Sequence, residues 1–274
     1  MQRRKLLFLI IVLSLSLVLV LGCNSESQES PQGAEGLDQE KLDEALSLAI
    51  KGQASSYAEG ETVTEGHIIL EIEEKAEEIK VYTIASFGAF GFENGIFTKI
   101  SGSGAIPTVI TFTREADGEY SLKEYQEPLD GAGYSDSVKE LFPQNLHDRV
   151  FNAHDDYPTL AQAQEDQAAG YLESIGRTAE VRIEHVEKEL AQINVEASNK
   201  LFSYHTKYDA FLNACPYWLG TREKVEDGVR YIYETSQSKT DDGYDLIIFR
   251  KMQEDGTIVE EEKYKIVGSE PQLI

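Results

Sequence analysis

The residue whose surroundings specify its chemistry most sharply is Cys23. It follows Val20-Leu21-Gly22, the end of a run from Leu6 to Leu21 in which Ser14 and Ser16 are the polar residues, and Arg3-Arg4-Lys5 precede that run. A basic start, an apolar core and a small residue at the cut make a secretion signal. Cys directly after the small residue adds lipoprotein processing: the thiol takes a diacylglycerol, cleavage frees the Cys amine, and a further acyl chain such as palmitate completes the anchor. Leu21 is bulkier than the usual residue at its position. The alternative is an uncleaved transmembrane helix, since the run approaches the roughly 18–20 residues that span a bilayer. With two acyl chains the anchor is stable, where one binds marginally.

Other residue types capable of chemistry occur in patterns that fall short. Ser236-Gln237-Ser238-Lys239 matches Ser-x-x-Lys, in which a lysine activates a serine nucleophile. Lys239-Thr240-Asp241 and Ser135-Asp136-Ser137 nearly match the companion motifs Lys-Thr-Gly and Ser-Asp-Asn. Yet one lysine would serve two motifs, and the stretch reads as a solvated connection between strands. His147-Asp148 and His154-Asp155-Asp156 lie seven apart, two helical turns, and could share a face; ordinary surface histidines are the alternative, and no metal site is expected. Asp241-Asp242-Gly243-Tyr244-Asp245 is too short for a calcium loop and reads as a hairpin turn. Gly102-Ser103-Gly104 follows a strand, but no helix bearing Lys-Ser/Thr follows it as a phosphate loop requires. Cys215, in Phe211-Leu212-Asn213-Ala214-Cys215-Pro216-Tyr217-Trp218, reads as a small buried hydrophobe. Tyr217 and Trp218 are either core aromatics or an exposed anchor for a partner. No catalytic residue and no cofactor is expected.

Charge narrows the partners. The chain has 25 Lys+Arg against 49 Asp+Glu. Three of the basic residues precede Cys23, so the chain from Cys23 onward carries 22 basic and 49 acidic residues, net −27. Nucleic acid and anionic headgroups are bound through Lys/Arg patches, so neither is an expected partner. Once Cys23 is lipidated, Cys215 is the one thiol left and no intramolecular disulfide can form.

The elements that would position these residues begin after residues 23–36, a segment without large apolar side chains that reads as a flexible tether. Roughly 235 residues follow, the range of one large or two small domains. Leu37 to Gln53 reads as an amphipathic helix capped by Asp38 and ended by Gly52, with Leu42, Leu46, Ala49 and Ile50 on one face. His67–Ile72 and Ile79–Phe87 are strand-like, Asn94-Gly95 marks a hairpin, and Pro107–Arg114 pairs with Glu119–Tyr125, so positions 66–126 read as an antiparallel meander of about five strands. Helices are expected through Val138, Leu141 and Phe142, on to Phe151, from Thr159 to Ile175 with Gly176 as the stop, and over Asn194–Tyr208, with a short strand at Thr178–Ile183. Val229–Thr235, Tyr244–Phe249 and Thr257–Val267 read as a three-stranded meander. The fold class is α+β: an N-terminal helix, an antiparallel meander sheet, central helices and a C-terminal three-stranded antiparallel meander. The domain spans 37–268. If the two β segments form separate sheets, it divides into 37–130 and 131–268.

Several strings taken together, Gly66-His67-Ile68-Ile69-Leu70, Val81-Tyr82-Thr83, Gly91-Phe92-Glu93-Asn94-Gly95, Pro107–Phe112, Tyr120–Tyr125, Pro216–Thr221 and Val229–Thr235, resemble the extracytoplasmic C-terminal region of bacterial antibiotic-sensor (BlaR-like) membrane metallopeptidases and of lipoproteins sharing it. The resemblance covers about residues 38–268 and lies in structural motifs. The zinc peptidase motif His-Glu-x-x-His is absent, so the resemblance implies a sensor or interaction module and carries over no catalytic residue. The expectation is a lipid-anchored domain on the outer face of the bacterial cell membrane that binds an envelope protein or a small ligand. The alternative is an envelope hydrolase with an acidic site, which several carboxylates of raised pKa in one pocket would favour.

Overall fold

The computed structural model describes residues 37–57 and 60–274; the expected signal, Cys23 and the expected tether lie outside them. Helix α1 (Gln39–Gly52) begins where Asp38 places a carboxylate oxygen 3.3 Å from the Lys41 N–H, satisfying one of the unpaired amides of the first turn. Its apolar residues recur at i, i+4, i+7 and i+8, and Leu42, Leu46, Ala49 and Ile50 are all buried. Each large side chain among them contributes about 1.5–3 kcal/mol by leaving water.

Strands β1 (Thr62–Lys75) and β2 (Glu78–Glu93) form the long hairpin against which α1 packs. In β2 the pleat sends Ile79, Val81, Ala85 and Phe87 toward α1. Tyr82 and Ile84 point the other way, toward the helical segment α2 (Tyr134–Leu141), α3 (His147–Phe151) and α4 (Tyr157–Ser174). Both faces of β2 are therefore covered, which is why the strand is apolar along most of its length instead of alternating. At Gly66 on β1 a Cβ would lie 2.6 Å from the Leu160 carbonyl, so glycine lets α4 lie directly on the strand.

The five expected N-terminal strands are present, but they are not a simple meander. β3 (Ile96–Gly102) pairs with Gly88–Glu93 of β2, and β4 (Ile106–Arg114) pairs with Glu78–Ala85, so the two lie end to end along one edge of β2 while β1 occupies the other. β5 (Tyr120–Gln126) then pairs with β4. A central strand buried on both faces must satisfy its backbone groups along both edges, and β2 is too long for one partner on this edge. The Asn94-Gly95 hairpin forms as expected, with φ of 51° and 76°.

After α4, stopped by Gly176 at φ 69°, the chain adds a two-residue strand β6 (Val181–Arg182) parallel to β3. α4 starts two residues before the expected Thr159, because Asp156 is held by Arg149 and Pro158 takes an early helical position. Asn194 caps α5 (Val195–Asn199), which runs through a π-helical stretch at Lys200–His205 into α6 (Thr206–Tyr208); a short α7 (Ala210–Ala214) follows.

The C-terminal meander has five strands, not three: β7 (Gly220–Glu226), β8 (Val229–Lys239), β9 (Asp245–Gln253), β10 (Ile258–Val267) and β11 (Glu270–Leu273). The extra strand β7 joins the two halves. Glu93 pairs with Arg222, the Asn94 N–H donates to the Thr221 carbonyl at 3.0 Å, and Asn94 Oδ1 accepts from the Thr221 N–H at 2.8 Å. A Cβ at Gly220, where φ is 141°, would lie 2.2 Å from that oxygen. Residues 37–130 and 131–268 thus share one sheet of eleven strands. The faces of β8–β10 that carry Tyr233, Ile247, Phe249, Tyr264 and Ile266 are covered by Ala197, Leu201, Leu212 and Cys215. Among the described residues no helix is long and apolar enough to cross a membrane.

Candidate functional site

Lys99 lies on β3 opposite Phe90, in the face of the sheet that α4 covers. With 8 % of its surface exposed it is the one lysine or arginine classed as buried among the described residues. Its Nζ donates to the Ser103 carbonyl at 2.7 Å and stands 5.5 Å from the centre of the Tyr157 ring. It enters no ion pair with a described carboxylate. Burial pushes the ammonium pKa down to about 8, because removing a charge from water without a counter-charge favours the neutral form.

The surroundings of Lys99 are fixed by hydrogen bonds. Between β3 and β4 the edge of β2 loses its strand partner, and Ser103 takes the strand's place: the Phe87 N–H donates to Ser103 Oγ at 3.1 Å, and the Ser103 N–H donates to the Phe87 carbonyl at 3.0 Å. Ser86 Oγ donates to the Ser103 carbonyl at 3.1 Å and accepts from Gln164 Nε2 at 2.8 Å. Gly102 has φ 145°, and a Cβ there would meet the Phe87 carbonyl at 2.3 Å and the Lys99 side chain at 2.7 Å, so glycine is required. The opening that remains is a cavity of about 260 Å³ lined by Lys99, Gly102, Ser103, Gly104, Tyr157 and His185 among others. Burial raises the Tyr157 phenol, and the Glu184 and Glu165 carboxylates raise it further, so it stays a neutral hydroxyl. The buried Gln164 Oε1 has no hydrogen-bond partner among the described residues.

A second buried cluster holds its charges differently. Arg230 on β8 grips Glu61 through two bonds of 2.5 and 2.6 Å and reaches Glu223 of β7 at 3.0 Å. Arg177 also pairs with Glu223, and the Tyr171 hydroxyl donates to Glu61 at 3.0 Å. Both guanidinium groups lie over the Phe92 ring, at 4.1 and 5.3 Å. Burial pushes the Glu61 carboxyl up, but the Arg230 and Tyr171 hydrogen bonds outweigh it and hold it below its ordinary value. Glu61 chiefly raises Arg230 in turn. Glu61 and Glu223 also border a cavity of about 590 Å³, larger than the one at Lys99, but the acids there are matched by arginines. A still wider open groove of about 770 Å³ beside Ser236 likewise has its lysine, Lys188, near a carboxylate, Glu93 at 3.9 Å. Size and chemistry therefore point to different places, and the uncompensated charge marks the Lys99 cleft.

The residues singled out in the sequence are dispersed. Tyr217 is 50 % exposed, whereas Trp218 is 7 % exposed with Lys188 3.8 Å over its ring, so the two do not form one surface anchor. Ser236 and Lys239 lie within β8, not in a solvated connection, because β9 pairs with this end of the strand. Three apart on a strand, they point to opposite faces, and Lys239 pairs with Asp245 at 2.9 Å. His147 bonds the Phe142 carbonyl, and His154 sits beside Asp155 on a separate turn; among the described residues no three potential ligands converge as a metal site. Cys215 is buried, and burial pushes its thiol up to about 12. Two carboxyls are raised chiefly by burial, Glu127 and Glu262, and neither lines any of the three cavities. Lys99 itself was missed; the available signal was Gly102-Ser103-Gly104, whose cation comes from the preceding strand and not from a following helix.

No protein-family model matches the chain, and comparisons with curated proteins and with solved structures find no similar chain.

Proposed function

We propose that the protein is a lipoprotein anchored through Cys23 to the outer face of a bacterial cell membrane, whose domain binds a small ligand in the Lys99 cleft. The observation that carries the binding role is a buried lysine without a carboxylate partner, fixed at the wall of a cavity by hydrogen-bonded neighbours. A buried charge without a counter-charge costs stability, and perturbed ionisable groups in clefts mark functional sites. The basic start, the apolar run and Gly22-Cys23 support the anchor, and the resemblance to antibiotic-sensor domains supports a sensor-like role without catalysis. The rival hydrolase reading lacks a pocket of raised carboxyls.

Two measurements test the reading. Metabolic labelling with a radiolabelled palmitate precursor marks the wild-type protein and leaves Cys23→Ala unlabelled; label in the variant rejects the anchor. A thermal-shift panel of small neutral, cationic and anionic compounds on the full-length protein in detergent finds one or more that stabilise wild type and not Lys99→Met. A panel without such a compound rejects the cleft as the binding site.

A further inference from the structure

We propose that the Lys99 cleft is an oxyanion site, taking a single carboxylate or phosphate group whose negative charge supplies the counter-charge that the protein withholds. The inference rests on the reading of the cleft as a ligand site and adds the chemistry of the ligand.

Three observations carry it. The first is the charge pattern. The chain is rich in acids, and the bases of the second cluster and of its neighbouring strands are matched: Arg230 by Glu61 and Glu223, Arg177 by Glu223, and Lys251 by Glu226 at 2.6 Å. At Lys99, the most deeply buried base, no described carboxylate takes that place. The second is the donor set. An ammonium has three N–H donors, and Lys99 directs one to the Ser103 carbonyl. Tyr157 and His185 line the same cavity and bring further donor groups. A cation would be repelled here, and a neutral ligand would leave the charge uncompensated. The third is size. About 260 Å³ lies below the roughly 300–1,000 Å³ of ordinary organic-ligand pockets, which suits an ion or the charged end of a longer molecule.

The titratable groups around the cleft are few: Lys99, Tyr157 and His185 line it, and Glu165 and Glu184 stand behind Tyr157 without lining it. On the α4 side stand Tyr157, kept neutral, and Glu165, whose Oε1 accepts from the Ile183 N–H at 2.8 Å; after β6 come Glu184 and His185. The acids act on Tyr157, while burial alone accounts for the lowered Lys99. A bound oxyanion favours the ammonium over the amine, so binding above pH 8 takes up a proton.

The test is isothermal titration of the full-length lipoprotein in nanodiscs of neutral lipid with sodium sulfate, sodium acetate and glycerol at constant ionic strength. Sulfate stands for a phosphate group and acetate for a carboxylate, and neither changes charge between pH 7 and 9. The expected result is saturable binding of one anion that weakens about tenfold from pH 7 to 9, as the protonated fraction of Lys99 falls. Binding disappears in Lys99→Met and persists in Lys99→Arg, with circular dichroism showing all variants folded. Preference for sulfate or for acetate decides which oxyanion the site is built for. Anion binding that is equal in Lys99→Met, or independent of pH, overturns the proposal. If neither anion binds while a neutral compound of the thermal-shift panel still requires Lys99, the oxyanion inference falls and the ligand cleft stands. If no probe responds to Lys99, both fall.

Discussion

Arg230 and Lys99 are both basic side chains drawn largely out of water on the same sheet, and the protein treats their charges in opposite ways. Around Arg230 the carboxylates of Glu61, Glu223 and, at 3.5 Å, Glu254 converge with a phenol hydroxyl and an aromatic face, and every atom of the grip comes from the fold itself. Around Lys99 the fold supplies one carbonyl, one ring and an opening. The first arrangement is complete as it stands and ties β8, β7 and Glu61 together. The second is pre-organised but electrically unfinished. A buried charge is thus not in itself a sign of function; whether its surroundings finish the neutralisation separates a clamp from a site.

The sharpest way to break this comparison is to remove each charge while keeping the length of the side chain. Arg230→Met leaves Glu61 partly buried without its cation and Glu223 with Arg177 alone, and the expected loss is about 3–5 kcal/mol in urea unfolding. Lys99→Met removes an uncompensated charge and is expected to stabilise the protein at pH 7 by about 2 kcal/mol, the scale of lowering a lysine toward 8 after allowance for relaxation. Equal losses in the two variants would refute the distinction.

The pH dependence sharpens it further. Between pH 8 and 10.5 the unfolded lysine binds a proton that the folded one has released, so the Lys99 contribution makes stability rise with pH through that window. Buried phenols such as Tyr233, raised to about 12, act in the opposite direction above pH 10, so the difference between wild type and Lys99→Met is the quantity to follow. A flat difference across the window would show that Lys99 is not electrostatically isolated.

His67 provides the smallest and intermediate case. Burial lowers its pKa, but Glu65 at 2.9 Å and Asp43 at 3.1 Å outweigh burial and raise it. Its stabilising contribution is therefore present below the unfolded pKa near 6.5 and is lost as pH rises through the higher folded value. His67→Gln is expected to abolish that loss in a series of unfolding curves from pH 5.5 to 8.5, and an unchanged slope would place the proton elsewhere.

Much of the fold was legible where local signals agree. Asp38 followed by Leu42, Leu46, Ala49 and Ile50 states a capped amphipathic helix, and Asn94-Gly95 between apolar runs states a hairpin. β7 was not legible because Arg222, Glu223, Lys224 and Glu226 read as a charged loop; the Glu223 and Glu226 carboxylates find partners on α4's exit, β8 and β9 that no local window contains. The tandem placement of β3 and β4 follows from burial of both faces of β2, a tertiary fact. Lys99 is hidden for the same reason: between Thr98 and Ile100 it reads as an exposed strand position, and only α4, starting 58 residues later in the chain at Tyr157, covers it.

The gap between β3 and β4 has a consequence for how such a domain can change. The ladder of β2 resumes on either side of residues 103–105, and Ser103 already bridges the interruption. Beyond Ser103, Gly104 is exposed and a Cβ there would meet nothing within 4 Å, so the chain can vary in length and polarity at that point while the pairing on both flanks, and with it the folded scaffold, is retained. Selectivity and foldability are thereby placed on different residues, so descendants of one architecture could exchange one small guest for another at little cost to the frame that displays it.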